Sequence, residues 1–259
     1  MRVVIEPNPE EAARFAAHHV AELVSHNADC VLALAAGSTM IPVYREVALL
    51  HQREHVSFAR TRAFNLDEYA GLASDDPRSF VRFVREHLIE QVDFRAANHF
   101  APDARAVDLD TECARYEAAI GSAGGLDLAV LGLGRNGHLA FNEPGASLAG
   151  RTRVEVLMRP HITEDEDPDP LPRVAITMGL GTILAAHACL VVAFGAEKER
   201  SAAEMIEGPV TSLVPASVLQ HHPNTTVVLD DAGAALLVNA AHYREVETLR
   251  REMKRSALR

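Results

Sequence analysis

Runs of almost exclusively apolar residues, separated by helical patterns, most constrain the fold of this chain. Residues 31–35 and 188–194 are apolar at every position, and residues 126–131 at all but one. Such strands fit a sheet that helices cover on both faces, because a sheet with one solvent face shows alternating polar positions. We therefore predict an α/β fold with a doubly wound, mostly parallel sheet.

Helical patterns alternate with these runs. Residues 9–24 follow Asn8, a favoured N-cap residue, and begin with Pro9, which is compatible with a first helical turn. Further strands are predicted at 2–5, 61–66 and 225–229, and further helices at 41–50, after Asp76-Pro77, around 116–120 and at 240–254. Because the two kinds of segment alternate and no linker divides the chain, we predict one Rossmann-like, three-layer domain over residues 1–259.

Charge and cysteine content limit the classes of partner. The 259 residues carry a formal net charge of −11, whereas nucleic acids and anionic membranes attract basic surfaces. Cys30, Cys113 and Cys189 form no CxxC pair, so we expect buried, reduced thiols. The residues after Met1 turn polar too soon for a signal peptide, and no apolar run has the length of a membrane span. We predict a cytoplasmic protein with no nucleic-acid or membrane partner.

A glycine-rich segment follows the apolar run at 126–131. Residues 132–145 read Gly-Leu-Gly-Arg-Asn-Gly-His-Leu-Ala-Phe-Asn-Glu-Pro-Gly, with His138 and Glu143 five positions apart. Glycine lets a backbone approach a ligand closely, and a histidine held there can carry protons near neutral pH. Each residue alone is more often structural than functional, but their occurrence together at a strand end indicates a site.

The same segment also matches a dinucleotide-binding pattern. Residues 132–137 fit GxGxxG, and Glu155 lies near the distance of the acid that binds the ribose. In those proteins the third glycine begins a long helix that faces the pyrophosphate. Here Asn142-Glu143-Pro144-Gly145 ends any helix within two turns. This disfavours a dinucleotide, while a turn with a purely geometric role stays open.

Polar residues at two other strand ends suit a phosphate. Gly37, Ser38 and Thr39 lie between a buried strand and a helix, where backbone N–H groups and two hydroxyls can bind an anion. A plain helix cap explains them equally well. Lys198 follows the run at 188–194 and is expected at the same edge of the sheet, although an isolated lysine is usually surface charge.

Other polar clusters do not have the spacing of metal ligands. Adjacent histidines, as in His18-His19 and His221-His222, diverge on a regular element, and no acids accompany them at ligand spacing. The acidic run at 164–170 does not match a calcium-binding loop. We predict no metal site and no cofactor.

Taken together, these segments resemble the glucosamine-6-phosphate deaminase family, also called glucosamine-6-phosphate isomerases. The strongest pieces are residues 64–69, Phe-Asn-Leu-Asp-Glu-Tyr, and residues 137–145. Supporting pieces extend over nearly the whole chain: residues 71–72, 76–80, 151–153, 177–182, 207–210, 217–220 and 222–223. The resemblance implies an enzyme that converts an amino-sugar 6-phosphate and water to fructose 6-phosphate and ammonia without a metal or cofactor.

The resemblance also implies roles for individual residues. Asp67 removes the C2 proton of the open-chain sugar and returns a proton at C1. His138 exchanges a proton with the ring oxygen, and Glu143 orients that histidine. The remaining predicted site residues are Gly37, Ser38, Thr39 and Lys198 at the phosphate, Glu68 and Gly137 as further substrate contacts, and Asn136 among the catalytic residues.

Two departures concern the reacting residues and the lid. The family pattern has an aspartate two positions before the histidine, where this chain has Asn136, which cannot carry a charge. The family's lid supplies an arginine to the phosphate, but the corresponding segment here is acidic. Arg159 or Arg173 is the expected substitute, in a mobile lid predicted at about residues 155–175.

A third departure concerns regulation. Allosteric members bind an effector phosphate through basic residues after the Pro-Gly turn; Arg153 fits that pattern, and Glu155 does not. We therefore predict no activation by an amino-sugar phosphate.

Several alternatives stay open. Galactosamine 6-phosphate is an alternative substrate, because the epimers differ in one hydroxyl. A 6-phosphogluconolactonase resembles the fold and has a Gly-His after a glycine turn, but lacks the Phe-Asn-Glu-Pro continuation that contains Glu143. A non-catalytic sugar-phosphate sensor is the third alternative. A homo-oligomer is possible, since the family includes monomers and hexamers.

Overall fold

The computed structural model describes residues 1–157 and 172–257. The strands are β1 (Arg2–Glu6), β2 (Val31–Leu34), β3 (Arg62–Asn65), β4 (Asp67–Tyr69), β5 (His99–Phe100), β6 (Leu128–Gly132), β7 (Arg153–Val156), β8 (Val174–Thr177), β9 (Ala188–Ala193) and β10 (Thr225–Asp230). The helices are α1 (Pro9–His26), α2 (Met40–Glu54), α3 (Phe80–His87), α4 (Leu109–Ser122), α5 (Leu180–Leu184), α6 (Glu199–Glu207) and α7 (Ala240–Ala257). Short 3-10 helices cover Ile89–Gln91, Ala96–Asn98, Ala196–Lys198 and Pro215–His221.

A seven-stranded sheet forms the centre of the protein, in the order β1-β10-β9-β6-β2-β3-β5. All of its neighbouring strands pair in parallel, which confirms the predicted doubly wound α/β fold. The chain runs outward from β2 through β3 to β5 and then returns to β6 on the other side of β2. Strand order therefore reverses between β2 and β6, where open α/β sheets bind their ligands.

A second sheet, in the order β4-β8-β7, is antiparallel and was not predicted. Its strands have only three or four residues, and β7 alternates charged and apolar positions, so they lack the apolar runs that marked the large sheet. Only Leu66 separates the last residue of β3 from the first residue of β4. The chain thus passes from one sheet to the other directly beside Asp67.

The predicted elements agree with the structure except in detail. Asn8 caps α1 as predicted, because its side chain accepts a hydrogen bond from the N–H of Glu11. The predicted cap at Asp76-Pro77 is wrong, since α3 begins at Phe80 and Ser79 is its cap. Asp76 instead binds the guanidinium of Arg78.

The core contains the strands of the large sheet, and the three cysteines are buried and free, as predicted. In the described part of the chain, no helix is long and apolar enough to cross a membrane. No group of three or more potential metal-binding side chains occurs among the same residues. Of the lid predicted at 155–175, the two ends belong to β7 and β8, and residues 158–171 lie outside the described residues.

Candidate active site

A cavity of about 560 Å³ opens at the carboxyl ends of β9, β6, β2 and β3, four neighbouring strands around the reversal of strand order. This volume is in the range of small-molecule sites. Seven of the ten predicted site residues line it: Gly37, Ser38, Thr39, Asp67, Asn136, His138 and Lys198. Glu143 contacts His138 from outside the lining, whereas Glu68 and Gly137 are not among the lining residues.

Asp67 is the buried carboxylate of the cavity, with 5% of its surface exposed. Within the described residues, its side chain accepts no hydrogen bond, so nothing compensates the charge that burial penalises. Burial, and to a smaller extent the charge of Glu68, raise the pKa of Asp67 to about 8. A carboxylate with such a proton affinity is suited to proton transfer near neutral pH.

Glu68 is also buried, but its carboxylate is fully used at the start of α3. Oε1 accepts from the N–H groups of Tyr69 and Phe80, and Oε2 accepts from the N–H of Val81 and the hydroxyl of Ser79 at 2.6 Å. Adjacent strand residues point to opposite faces, so Asp67 and Glu68 diverge. Glu68 therefore fixes the local structure that presents Asp67, and the substrate contact predicted for it has no counterpart in the cavity lining.

The turn after β6 holds His138 against bare backbone. A Cβ on Gly134 would lie 2.4 Å from the imidazole of His138, so only glycine leaves room for the ring. Gly137 has a φ of +82°, and a Cβ there would meet Val214 at 2.6 Å. The glycines of this segment therefore have a geometric role, because they leave room for the ring of His138 and for Val214. This geometric role also serves the site, because it positions the histidine.

Glu143 connects His138 with Asn136. Its Oε1 lies 3.0 Å from Nδ1 of His138, a contact that does not have the geometry of a hydrogen bond. Its Oε2 accepts a 2.6 Å hydrogen bond from Nδ2 of Asn136, whose Oδ1 accepts from the N–H of His138. The contact with His138 contributes most to holding the pKa of Glu143 below its usual value, against the effect of burial. This carboxylate is therefore ionised beside the imidazole at neutral pH.

Tyr69, Phe80 and Phe141 form an aromatic cluster that connects the segment containing Asp67 with the segment containing His138. The sequence did not indicate this cluster. Phe80 and Phe141 line the cavity with ring centroids 5.6 Å apart, and Tyr69 packs against both. The three rings come from β4, α3 and the glycine-rich segment. Two of them lie inside the motifs 64–69 and 137–145, but nothing in the spacing of the motifs indicated that the rings meet.

Ser38 and Thr39 also line the cavity and precede α2. Thr39 is the N-cap residue and makes no side-chain cap hydrogen bond, which disfavours the simple capping role considered for it. Among the described residues, neither hydroxyl has a hydrogen-bond partner. Lys198 lines the same cavity, and burial lowers the pKa of its ammonium group. These groups form a polar recess suited to an anion.

Three arginines raised by the sequence analysis have different positions. Arg153 binds Oδ1 of Asn142 at 2.8 Å and Glu155 at 2.6 Å, so its guanidinium is engaged within the chain. Arg173 does not belong to the cavity lining, and Arg159 lies outside the described residues. Arg135, which the sequence analysis did not single out, lines the cavity.

One cavity thus combines a buried carboxylate, a histidine paired with a second carboxylate, and a polar recess. These features define the chain as an α/β enzyme that acts on a small molecule. The chain belongs to the family described as glucosamine-6-phosphate isomerases/6-phosphogluconolactonase, whose model matches residues 7–228.

Curated relatives are similar over nearly their whole length. The glucosamine-6-phosphate deaminase of Mycolicibacterium smegmatis is 41% identical over 250 residues, which cover 95% of this chain and 96% of that protein. The glucosamine-6-phosphate deaminase of a Marinomonas species is 40% identical over 260 residues, which cover 98% of each.

Solved structures share the fold. A monomeric glucosamine-6-phosphate deaminase superposes with a TM-score of 0.87 at 38% identity, covering 91% of this chain and all of that one. The 6-phosphogluconolactonase from Trypanosoma cruzi superposes with a TM-score of 0.74 at 20% identity, covering 92% of this chain and 97% of that one. At that identity the second likeness concerns the fold alone.

Proposed function

We propose that this chain is a glucosamine-6-phosphate deaminase, which converts glucosamine 6-phosphate and water to fructose 6-phosphate and ammonia. One observation carries the proposal: the buried Asp67 and the pair His138–Glu143 border a single cavity that also has an anion recess. The similarity to deaminases at about 40% identity over nearly the whole chain supports the same substrate.

Asp67 is the base of the isomerisation. In its ionised form it takes the proton from C2 of the open-chain sugar; the C2–H electron pair forms the C1–C2 double bond, and the aldehyde oxygen becomes an enolate. The same carboxyl group then gives its proton to C1, the nitrogen lone pair forms the imine at C2, and one N–H proton passes to O1. Water adds to this imine, and ammonia departs to leave the C2 ketone. A base with a pKa of about 8 accepts and returns a proton at little cost near neutral pH.

His138 is the proton carrier for the ring oxygen. In ring opening the neutral imidazole takes the proton of the C1 hydroxyl and delivers it to the ring oxygen, so that the C1–O5 bond breaks and C1 becomes the aldehyde. Glu143 stabilises the positive charge of the imidazole when it holds a proton, and Asn136 keeps Glu143 in place through the 2.6 Å hydrogen bond. Separate groups thus act on the ring oxygen and on carbon.

The recess at Ser38, Thr39 and Lys198 receives the phosphate in this proposal. The unpartnered hydroxyls and the lysine ammonium provide donors and one positive charge. Anchoring the phosphate at this end directs the sugar along the cavity toward Asp67 and His138. We also propose that the enzyme is cytoplasmic, because its three cysteines are free and buried, as is usual in a reducing compartment.

Ammonia release tests the proposed function. The purified protein is assayed with glucosamine 6-phosphate and galactosamine 6-phosphate, and lactone hydrolysis is measured with 6-phosphogluconolactone. Release of ammonia with equimolar fructose 6-phosphate from the glucosamine substrate supports the proposal. Turnover of the galactosamine substrate or of the lactone alone assigns one of the alternatives, and binding of glucosamine 6-phosphate without turnover identifies a sensor.

A further inference from the structure

Arg135 is a cation at the cavity with no part in the mechanism given above. It lies at the tip of the turn after β6, is exposed, and lines the cavity together with Ser38, Thr39 and Lys198. In the described part of the chain its guanidinium forms no hydrogen bond or ion pair. Its N–H donors are therefore available to a ligand.

Arg135 and Lys198 influence each other electrostatically. Burial contributes most to lowering the pKa of the Lys198 ammonium, the positive charge of Arg135 acts in the same sense, and Glu197 acts against both. Two like charges at one end of a cavity repel each other, and an anion between them relieves that repulsion. This end of the cavity is thus prepared for more negative charge than one lysine neutralises.

A phosphate monoester has the matching charge and shape. It carries about −1.5 to −2 charges at neutral pH, so that a second cation beside Lys198 balances it. The planar guanidinium of an arginine can bind two phosphate oxygens at once, whereas a lysine acts as a point charge. The free hydroxyls of Ser38 and Thr39 in the same cavity supply further donors.

We propose that Arg135 binds the phosphate group of the substrate together with Lys198. This inference rests on the proposed function, which supplies the phosphorylated sugar. It assigns the phosphate an arginine from the turn that carries His138. Phosphate binding and the position of the proton carrier are then properties of one short segment.

The test uses Arg135→Gln and Arg135→Lys in the full chain, with Arg105→Gln as the matched control. Arg105 is exposed, forms no ion pair among the described residues and lies outside this cavity. The kcat and KM for glucosamine 6-phosphate and the inhibition constant of inorganic phosphate are measured. Arg135→Gln is expected to raise KM and the inhibition constant together by about tenfold or more, with kcat changed by less than about threefold. Arg135→Lys is expected to give intermediate values, and Arg105→Gln wild-type values.

Unchanged KM and phosphate inhibition in either Arg135 variant would overturn the inference, and so would a loss of kcat alone, which would assign Arg135 to the histidine turn. Should Arg135→Gln not fold, Arg135→Lys decides the question by the same two constants. If the wild-type protein releases no ammonia, the proposed function fails, and calorimetric titration with inorganic phosphate tests Arg135 separately. Binding that Arg135→Gln weakens supports the assignment, whereas equal binding by both proteins contradicts it.

Discussion

Asn136 donates a 2.6 Å hydrogen bond to Oε2 of Glu143, while Oε1 of the same carboxylate lies 3.0 Å from the imidazole of His138. An aspartate at position 136 would bring a second carboxylate against the first. The neutral amide therefore allows Glu143 to stay ionised without sharing a proton, because an amide donates where a carboxylate cannot.

The first prediction concerns this contact. Asn136→Asp is expected to raise the pKa of Glu143, because a like charge disfavours ionisation. The pH titration profile of the Glu143 carboxyl carbon, followed by NMR, should then move to higher pH by roughly one unit. Asn136→Ala removes the donor without adding charge and serves as the control, with a smaller displacement. Superimposable profiles for Asn136→Asp and the wild type would contradict the role given to this amide.

The second prediction concerns the base. The pKa of Asp67 is raised to about 8 by burial and by Glu68, so kcat/KM should rise with pH through this value as the free enzyme loses that proton. Asp67→Asn is expected to abolish ammonia release while binding of glucosamine 6-phosphate persists in calorimetry. Retained turnover in Asp67→Asn would remove Asp67 from the mechanism.

The third prediction is a dependence of stability on pH. Because folding raises the pKa of Asp67, its contribution is fully present below the unfolded value near 4 and is lost as pH rises to about 8. Asp67→Asn should therefore match the wild type in stability near pH 4 and exceed it increasingly up to pH 8. Each tenfold change in proton affinity corresponds to about 1.4 kcal/mol. Denaturant unfolding across this range provides the measurement; equal stability at pH 8 to 9 is the contrary result.

The fourth prediction separates the two adjacent acids. Glu68→Ala leaves the hydroxyl of Ser79 and three backbone N–H groups without their acceptor. We expect a loss of roughly 3 kcal/mol, since removing the acceptor leaves buried donors unsatisfied. Thermal unfolding measures this, and Glu68→Gln, which keeps the shape and one acceptor oxygen, is the control. A Glu68→Ala variant as stable as the wild type would show that α3 does not depend on this carboxylate.

The fifth prediction concerns regulation. The guanidinium of Arg153 is bound to Asn142 and Glu155, so it is not free for an effector phosphate. Substrate saturation should be hyperbolic, and N-acetylglucosamine 6-phosphate should not activate the enzyme. Initial rates with and without this compound test the prediction. A sigmoidal curve that the compound converts to a hyperbola would refute it.

The large sheet was predictable because strands that are buried on both faces are continuous apolar runs in the sequence. The run at 188–194 contains only apolar residues, and β9 was found there. The small sheet was not predictable in this way, because β7 reads Arg-Val-Glu-Val and is held by pairing with β8, a partner distant in sequence. Short strands of this kind depend on tertiary context more than on local pattern.

The candidate site was predictable where several of its polar residues lie close together in one segment, as Asn136, His138 and Glu143 do in residues 132–145. It was not predictable where adjacent residues diverge. Asp67 and Glu68 are neighbouring acids in the sequence, yet one faces the cavity and the other binds the start of α3. Arg135 was not indicated by the sequence, because the sequence does not show that the turn after β6 and Lys198 border the same cavity.

Leu66 is the one residue between β3 of the large sheet and β4 of the small sheet, directly before Asp67. Insertions and deletions are tolerated in most connections of such a fold, since a surface loop can absorb them. One residue added or removed at Leu66 would instead reverse the facing of the next strand. Surface loops of this protein can therefore change in length, whereas the length of this junction is fixed by the need to turn Asp67 toward the cavity.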